Sequence, residues 1–176
     1  MNRFATSYEM FGLAISLNKT NVMATGAEIT PTIMASNHQL NVVNNFNYLG
    51  STIIDDLSLD AEIQKRIGMA SSALARLSRR VWTNNMLTIN TKITVYKACV
   101  LSTLLYASES WTMYSSQEIK INTFHMRCLR RILGITWRDK VTNNEVLERA
   151  GIPSMFTFLR QRRIRWLGHG FRMADG

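Results

Sequence analysis

The chain has 176 residues, 46% of them apolar, and carries 21 Lys and Arg against 12 Asp and Glu, a formal charge of +9. That length is close to one domain and can bury roughly two-thirds of its unfolded surface, so folding requires no disulfide or metal, and disorder and collagen-like structure are excluded. The longest nearly apolar stretch, Ala98 to Ala107, is interrupted by Ser102 and Thr103 and is about half a bilayer span; Met1 to Gly12 lacks the apolar core and basic lead-in of a secretory signal.

An intracellular setting, nuclear or cytoplasmic, with no signal peptide or transmembrane segment, is therefore expected. Cys99 and Cys128 are too far apart to make a framework and read as small buried hydrophobes in a reducing compartment. The charge is uneven. Residues 1–60 hold two basic side chains against five acidic ones, whereas residues 61–176 hold 19 against seven. An asymmetry of this size points the second part toward a polyanion, nucleic acid first and an anionic membrane second, although charge alone is equally compatible with a plain solvated surface.

In chain order, Ser7 to Leu13 reads as a helix ended by Gly12. Asn21 to Ala24, Thr32 to Met34, Gln39 to Val43 and Phe46 to Leu49 are short apolar-containing runs separated by the turn formers Thr25-Gly26, Ser36-Asn37 and Asn44-Asn45, the pattern of a small β meander. From Ser58 the period changes to 3.6: Ile63, Ile67, Ala70, Leu74, Leu77 and Val81 share one helix face, with Lys65, Arg76, Arg79 and Arg80 opposite. Ser58 is placed to cap that helix, and Asp60 and Glu62 suit its positive end.

A second helix is predicted from about Asn90 to Ala107, with Ile93, Tyr96, Val100 and Leu104 as its stripe. Ser115-Ser-Gln-Glu118 reads as a capping box before a third helix that ends at Gly134. Thr142-Asn-Asn-Glu145 repeats the device before a fourth that stops at Gly151, and Pro153-Ser154 opens a fifth reaching about Gly168. The predicted class is α+β: a small N-terminal β meander followed by a mainly α-helical bundle.

Asp55-Asp56 follows Ile53-Ile54 and superficially suggests a polymerase metal site. Two-metal phosphoryl chemistry needs carboxylates converging from separate strands, and the earlier acids, Glu9 and Glu28, are in no convincing strand; the pair reads as the polar lead-in to the first long helix. His125-Met-Arg-Cys128 has a ligand-like spacing, but a zinc site needs about four ligands in clustered pairs, and His125 reads as a half-buried helix residue. No glycine-rich phosphate loop or Ser-His-Asp arrangement is present.

The basic helices stand out. Arg127, Arg130 and Arg131 share a helix face, and Arg160, Arg162, Arg163 and Arg165 surround Trp166, with Arg172 following. Guanidinium groups suit bidentate phosphate contact, and an aromatic edge can add stacking. Trp111, Trp137 and Trp166 are expected in the core under arginine stems; the arginines themselves are expected to meet phosphate.

These residues also carry a resemblance. Gly12-Leu-Ala-Ile15, Lys19-Thr20, Val22-Met23 and Phe46-Asn-Tyr-Leu-Gly-Ser51 resemble the end of the palm in a non-LTR retrotransposon (LINE-type) reverse transcriptase. Arg66-Ile67, Lys92 with Val95-Tyr96, Leu105-Tyr-Ala-Ser-Glu-Ser-Trp111, Arg127-Cys-Leu-Arg-Arg-Ile-Leu-Gly134, Thr142-Asn143, Arg165-Trp-Leu-Gly-His169 and Arg172-Met173 resemble the region after the palm, most like RTE-type elements. The resemblance covers nearly the whole chain from about Gly12.

It implies that residues 1–57 are the end of the palm and 58–176 a helical thumb and C-terminal region. It further implies that Lys19 lies near the incoming nucleotide's phosphates and that Tyr48, Leu49 and Gly50 form the turn gripping the primer. The family's Phe-Ala-Asp-Asp motif is not in this sequence, nor is the strand bearing its other metal-binding aspartate, the fingers, an endonuclease or a Cys-Cys-His-Cys knuckle. The intact family enzyme is an RNA-directed DNA polymerase using magnesium. This chain alone is expected to hold no cofactor and not to polymerise, and to bind RNA, DNA or an RNA–DNA hybrid through Arg127, Arg130, Arg131, Arg160, Arg162, Arg163 and Arg165. The alternative expectation is a non-functional or domesticated helical fragment acting, if at all, as a protein-interaction module.

Overall fold

A computed structural model describes residues 2–26, 31–35 and 38–174. The chain divides into two compact units, residues 1–59 and 60–176. The class is α+β, with small N-terminal strands ahead of a helical bundle.

The first unit opens on α1 (Asn2–Met10), which begins and ends earlier than predicted; Gly12, at φ +67°, turns the chain after it. Phe4, Tyr8, Met10, Phe11 and Leu13 are exposed there. A single 3-10 turn, Leu17–Lys19, leads into β1 (Asn21–Val22), β2 (Met34–Ala35), β3 (His38–Gln39), β4 (Asn41–Val42), β5 (Asn45–Tyr48) and β6 (Ser51–Ile54). The strands do not form the predicted continuous meander. β2 pairs with β3 and β5 with β6, both antiparallel, whereas β1 pairs parallel with β4 through Asn21↔Asn41 and Val22↔Val42. Strands of two residues offer too little edge to recruit a neighbour on each side, so each pair closes by itself. The Ser36-Asn37 turn and Glu28 lie outside the described residues.

The second unit begins with α2 (Asp60–Arg76), which runs on through a π turn at Ser78–Trp82. Leu59, not Ser58, directly precedes it, and the Ser58 N–H donates to Asp56 Oδ1 at 2.7 Å, so Asp55-Asp56 does form a polar lead-in turn. The predicted stripe is the buried face: Ile63, Ala70, Leu74 and Val81 are buried and Ile67 and Leu77 half-buried. The wide turn after Arg76 is stitched by two polar groups. Trp82 Nε1 donates to the Leu74 carbonyl at 2.6 Å, and the buried Lys92 Nζ donates to the Trp82 carbonyl at 3.0 Å.

α3 (Ile89–Val95) starts at Thr88, whose Oγ1 accepts the Thr91 N–H at 3.2 Å, and continues through a π turn (Tyr96–Leu101) into α4 (Ser102–Leu104). All four residues of its predicted stripe are buried. Cys99 is exposed, a correction to the expectation of burial, because it falls opposite the stripe; Cys128 is buried, and burial pushes its thiol up to about 12.

α5 (Ser115–Leu133) is capped one residue earlier than predicted. Gln117 Oε1 accepts the Tyr114 N–H at 3.1 Å, so Tyr114 is the N-cap and Ser115 the first helical residue. Gln117 Nε2 and Lys120 Nζ both donate to the Asp60 carboxylate, at 3.1 and 2.7 Å, tying the start of α5 to the start of α2. Gly134 terminates α5 at φ +69°, a left-handed conformation that glycine adopts without steric cost. α6 (Asn143–Ala150) has its predicted box, with Glu145 Oε2 accepting the Thr142 N–H at 2.7 Å. α7 (Met155–Ala174) runs six residues past the predicted end at Gly168, because glycine inside a helix costs only about 1 kcal/mol. No described helix is long and apolar enough to cross a membrane.

His125 is fully buried on α5, not half-buried as the sequence suggested, because the Tyr96 hydroxyl bonds its Nδ1 at 2.7 Å and Phe158 packs edge-on against its ring. Desolvation lowers its pKa to about 4, opposed by the Pro153 carbonyl, which favours the protonated ring. An unfolded chain, with histidine at its ordinary value of about 6.5, therefore binds the proton first as pH falls. Stability from this group is complete above pH 6.5 and falls, by about 3 kcal/mol, as pH drops toward 4. A thermal-unfolding series between pH 7 and pH 4 is expected to show that decline, and His125→Gln, which keeps an acceptor for Tyr96, to show much less of it.

Candidate nucleic-acid interface

The arginines predicted to meet phosphate divide into two sets by what their side chains touch. Arg130 Nη2 donates to the Val141 carbonyl and to Asn143 Oδ1, both at 2.9 Å, bridging α5 to the start of α6. Arg131 Nη2 donates to Ser78 Oγ at 2.8 Å. Arg162 Nη1 donates to the Leu105 carbonyl at 2.9 Å and Arg163 Nη2 to the Trp111 carbonyl at 3.3 Å, so α7 holds the turn after α4 in place. Their ion pairs, Arg162 with Glu109 and Arg163 with Glu118, are long at 3.7 Å and partly exposed, and contribute little in water.

Arg127, Arg160 and Arg165 form the other set. All three are exposed and make no hydrogen bond or ion pair within the described residues. A cation in that position keeps its full capacity for an external anion. Two open grooves carry Arg127 and Arg165: one on α5 lined by Asn122, Thr123, Arg127, Arg130, Arg131 and Asn143, the other on α7 lined by Arg162, Arg165, Trp166, His169 and Arg172 with Glu109 at its edge. A third, on α2, is lined by Lys65, Arg76 and Thr103 among others.

The tryptophans correct the sequence reading in part. Trp111 is buried as expected, but Trp137 is 84% and Trp166 58% exposed. Trp137 sits in a short 3-10 turn after α5 with the Arg138 guanidinium 5.5 Å from its ring, and Trp166 lies on the largely exposed second half of α7. Periodicity could not show this, because a tryptophan beside arginines reads the same whether the arginines cover it or share its open face. Trp82, which the sequence reading passed over, is a core tryptophan instead.

In the first unit, Tyr48, Leu49 and Gly50 form the tip of the β5–β6 hairpin, with Tyr48 opposite Ser51. Leu49 and Gly50 have φ of 48° and 87°, the two left-handed residues of a type I′ turn, a place where leucine is strained and asparagine or glycine is usual. Tyr48 and Leu49 are exposed. Lys19 is exposed at the end of its 3-10 turn. Asp55 donates its N–H to the Asn44 carbonyl in the turn after β6. Among the described residues no three His, Cys, Asp or Glu side chains converge as a metal site would require, so the donor set does not fit magnesium.

No family model matches the chain, and no solved structure matches it. It is similar to an uncharacterized transposon-derived protein of Caenorhabditis elegans, 25% identical over 173 aligned positions that cover 94% of this chain. The chain spans 61% of that relative's length, and its similarity connects it with transposon-derived sequence.

Proposed function

We propose that this chain is a piece of a LINE-type RNA-directed DNA polymerase that does not itself include the catalytic aspartates, and that its helical unit binds the backbone of template–primer nucleic acid without sequence preference. The observation that carries the binding reading is a set of exposed guanidinium groups without partners among the described residues, Arg127 and Arg165 in open grooves and Arg160 on the same helix as Arg165. Arg130, Arg131, Arg162 and Arg163 fix the helices that present them. The transposon-derived relative supports the descent, and the ordered motifs from Gly12 to Met173 support the polymerase family.

The mechanism is binding rather than catalysis. Guanidinium groups on rigid helices displace condensed counterions from the phosphates, and affinity then falls with salt in proportion to the phosphates neutralised. In this reading the grooves hold and orient a strand by charge, and no group in them is assigned a chemical step. Polarisation binding of the full chain to a labelled RNA–DNA hybrid is expected to show a log–log salt slope of about −5, for about six phosphates. No binding at low salt, or binding indifferent to salt, would overturn this reading.

A further inference from the structure

The α7 groove contains more than charge. Arg162, Arg165, Trp166, His169 and Arg172 follow at spacings of three, one, three and three, which places them on one helix face, and they line a cleft of about 380 Å³. The Trp166 and His169 rings lie 5.9 Å apart, tilted by 41°, and together make an aromatic ledge along that face. Trp166 is 58% exposed and His169 is exposed.

The charges around the ledge are not equivalent. Arg162 is occupied by the Leu105 carbonyl and faces the Glu109 carboxylate at 3.7 Å, so its end of the cleft is nearly neutral. Arg165 and Arg172 have no partner among the described residues. The Arg172 guanidinium folds back along the helix, with Nη1 3.7 Å from where a Cβ at Gly168 would stand. Two free cations thus flank an open aromatic surface, while a carboxylate at the other end repels phosphate.

We propose that the Trp166–His169 ledge stacks an unpaired nucleobase while Arg165 and Arg172 hold the adjoining phosphates, so that this face of α7 is a single-strand subsite. The inference rests on the phosphate-binding reading above and names its substrate more closely. Within a duplex both faces of a base are covered by its neighbours, and a protein helix meets only phosphates and groove edges. An exposed indole bracketed by arginines gains stacking energy only from a base outside the stack, and every base offers a π face to it, so RNA and DNA single strands serve equally.

The test uses the full chain and three labelled ligands of equal length and label: a single-stranded oligothymidine, the same sugar–phosphate strand without bases, and a duplex closed at both ends by non-nucleotide linkers. Wild-type protein is expected to bind the base-bearing strand roughly five- to a hundredfold more tightly than the abasic strand. Trp166→Ala is expected to remove that difference while leaving duplex binding unchanged, Trp166→Phe to retain most of it, and Trp137→Ala to leave it intact. Circular dichroism of each variant checks that the helices persist. Equal binding of base-bearing and abasic strands by wild type, or no effect of Trp166→Ala on the base-bearing strand, overturns the stacking subsite and leaves phosphate binding standing. Failure of all three ligands to bind overturns both.

Discussion

Replacing Arg127, Arg160 and Arg165 together by glutamine is expected to flatten the salt dependence of hybrid binding from a slope of about −5 to between about −2 and −3, since each lost phosphate contact removes about 0.9. The three side chains are exposed and without partners among the described residues, so the triple variant should unfold within about 1 kcal/mol of the parent. Arg162→Gln gives the opposite pattern. It removes the bond to the Leu105 carbonyl, at 2.9 Å, and is expected to lower stability by about 1 kcal/mol with little change of slope. Salt series and urea unfolding on the same preparations separate the two roles. Equal slopes in parent and triple variant would show that phosphate contact lies elsewhere.

The largest stability effect is expected at a buried ion pair. Glu62 and Arg66, one turn apart on α2, are 1% and 4% exposed and joined by a 2.6 Å contact from Arg66 Nε to Glu62 Oε1, with the guanidinium 4.5 Å from the centre of the Tyr106 ring. Removing one partner takes the nearest opposite charge from the other in a low-dielectric interior. Glu62→Ala is therefore expected to destabilise the protein by about 3–5 kcal/mol, whereas Glu62→Leu with Arg66→Met, which removes both charges and keeps the volume, should cost much less. Urea unfolding followed by circular dichroism measures both. A single variant no less stable than the double would refute the pair's dependence on each other.

Helix positions were legible where one physical rule acts within a few residues. Ile63, Ala70 and Leu74, and Ile93, Tyr96, Val100 and Leu104, repeat at 3.6 because a helix must bury one face, and they are buried. Gly134 and Gly151 mark helix ends because the left-handed closing residue favours glycine, and Thr142 with Glu145 closes its box through adjacent atoms. The α7 end was misplaced because a glycine inside a helix and one that ends it look alike in sequence.

What depends on partners distant in the chain was not legible. β1 pairs with β4 across about twenty residues, and neither strand is long enough to announce its direction. His125 is buried by Tyr96, 29 positions away, and its burial follows from that contact and not from its neighbours. The division of the arginines has the same origin. Arg162 and Arg165 are indistinguishable as residues, but the Leu105 carbonyl meets the first and nothing described meets the second. An i,i+4 pair such as Glu62 and Arg66 ordinarily reads as a solvated surface pair, and only the packing around Tyr106 makes it interior. Trp166 was assigned to the core because most tryptophans near basic residues are covered by them; it lies instead on the largely exposed second half of α7.

A nuclear magnetic resonance titration of the labelled chain with an unlabelled RNA–DNA hybrid, following amide and arginine Nε signals, tests whether the helical unit meets nucleic acid through Arg127, Arg160 and Arg165. The account predicts that shifts concentrate at Arg127, Arg160 and Arg165 and along their helix faces, and fade as salt is raised. Shifts confined to residues 1–59, or none at saturating hybrid, would contradict it.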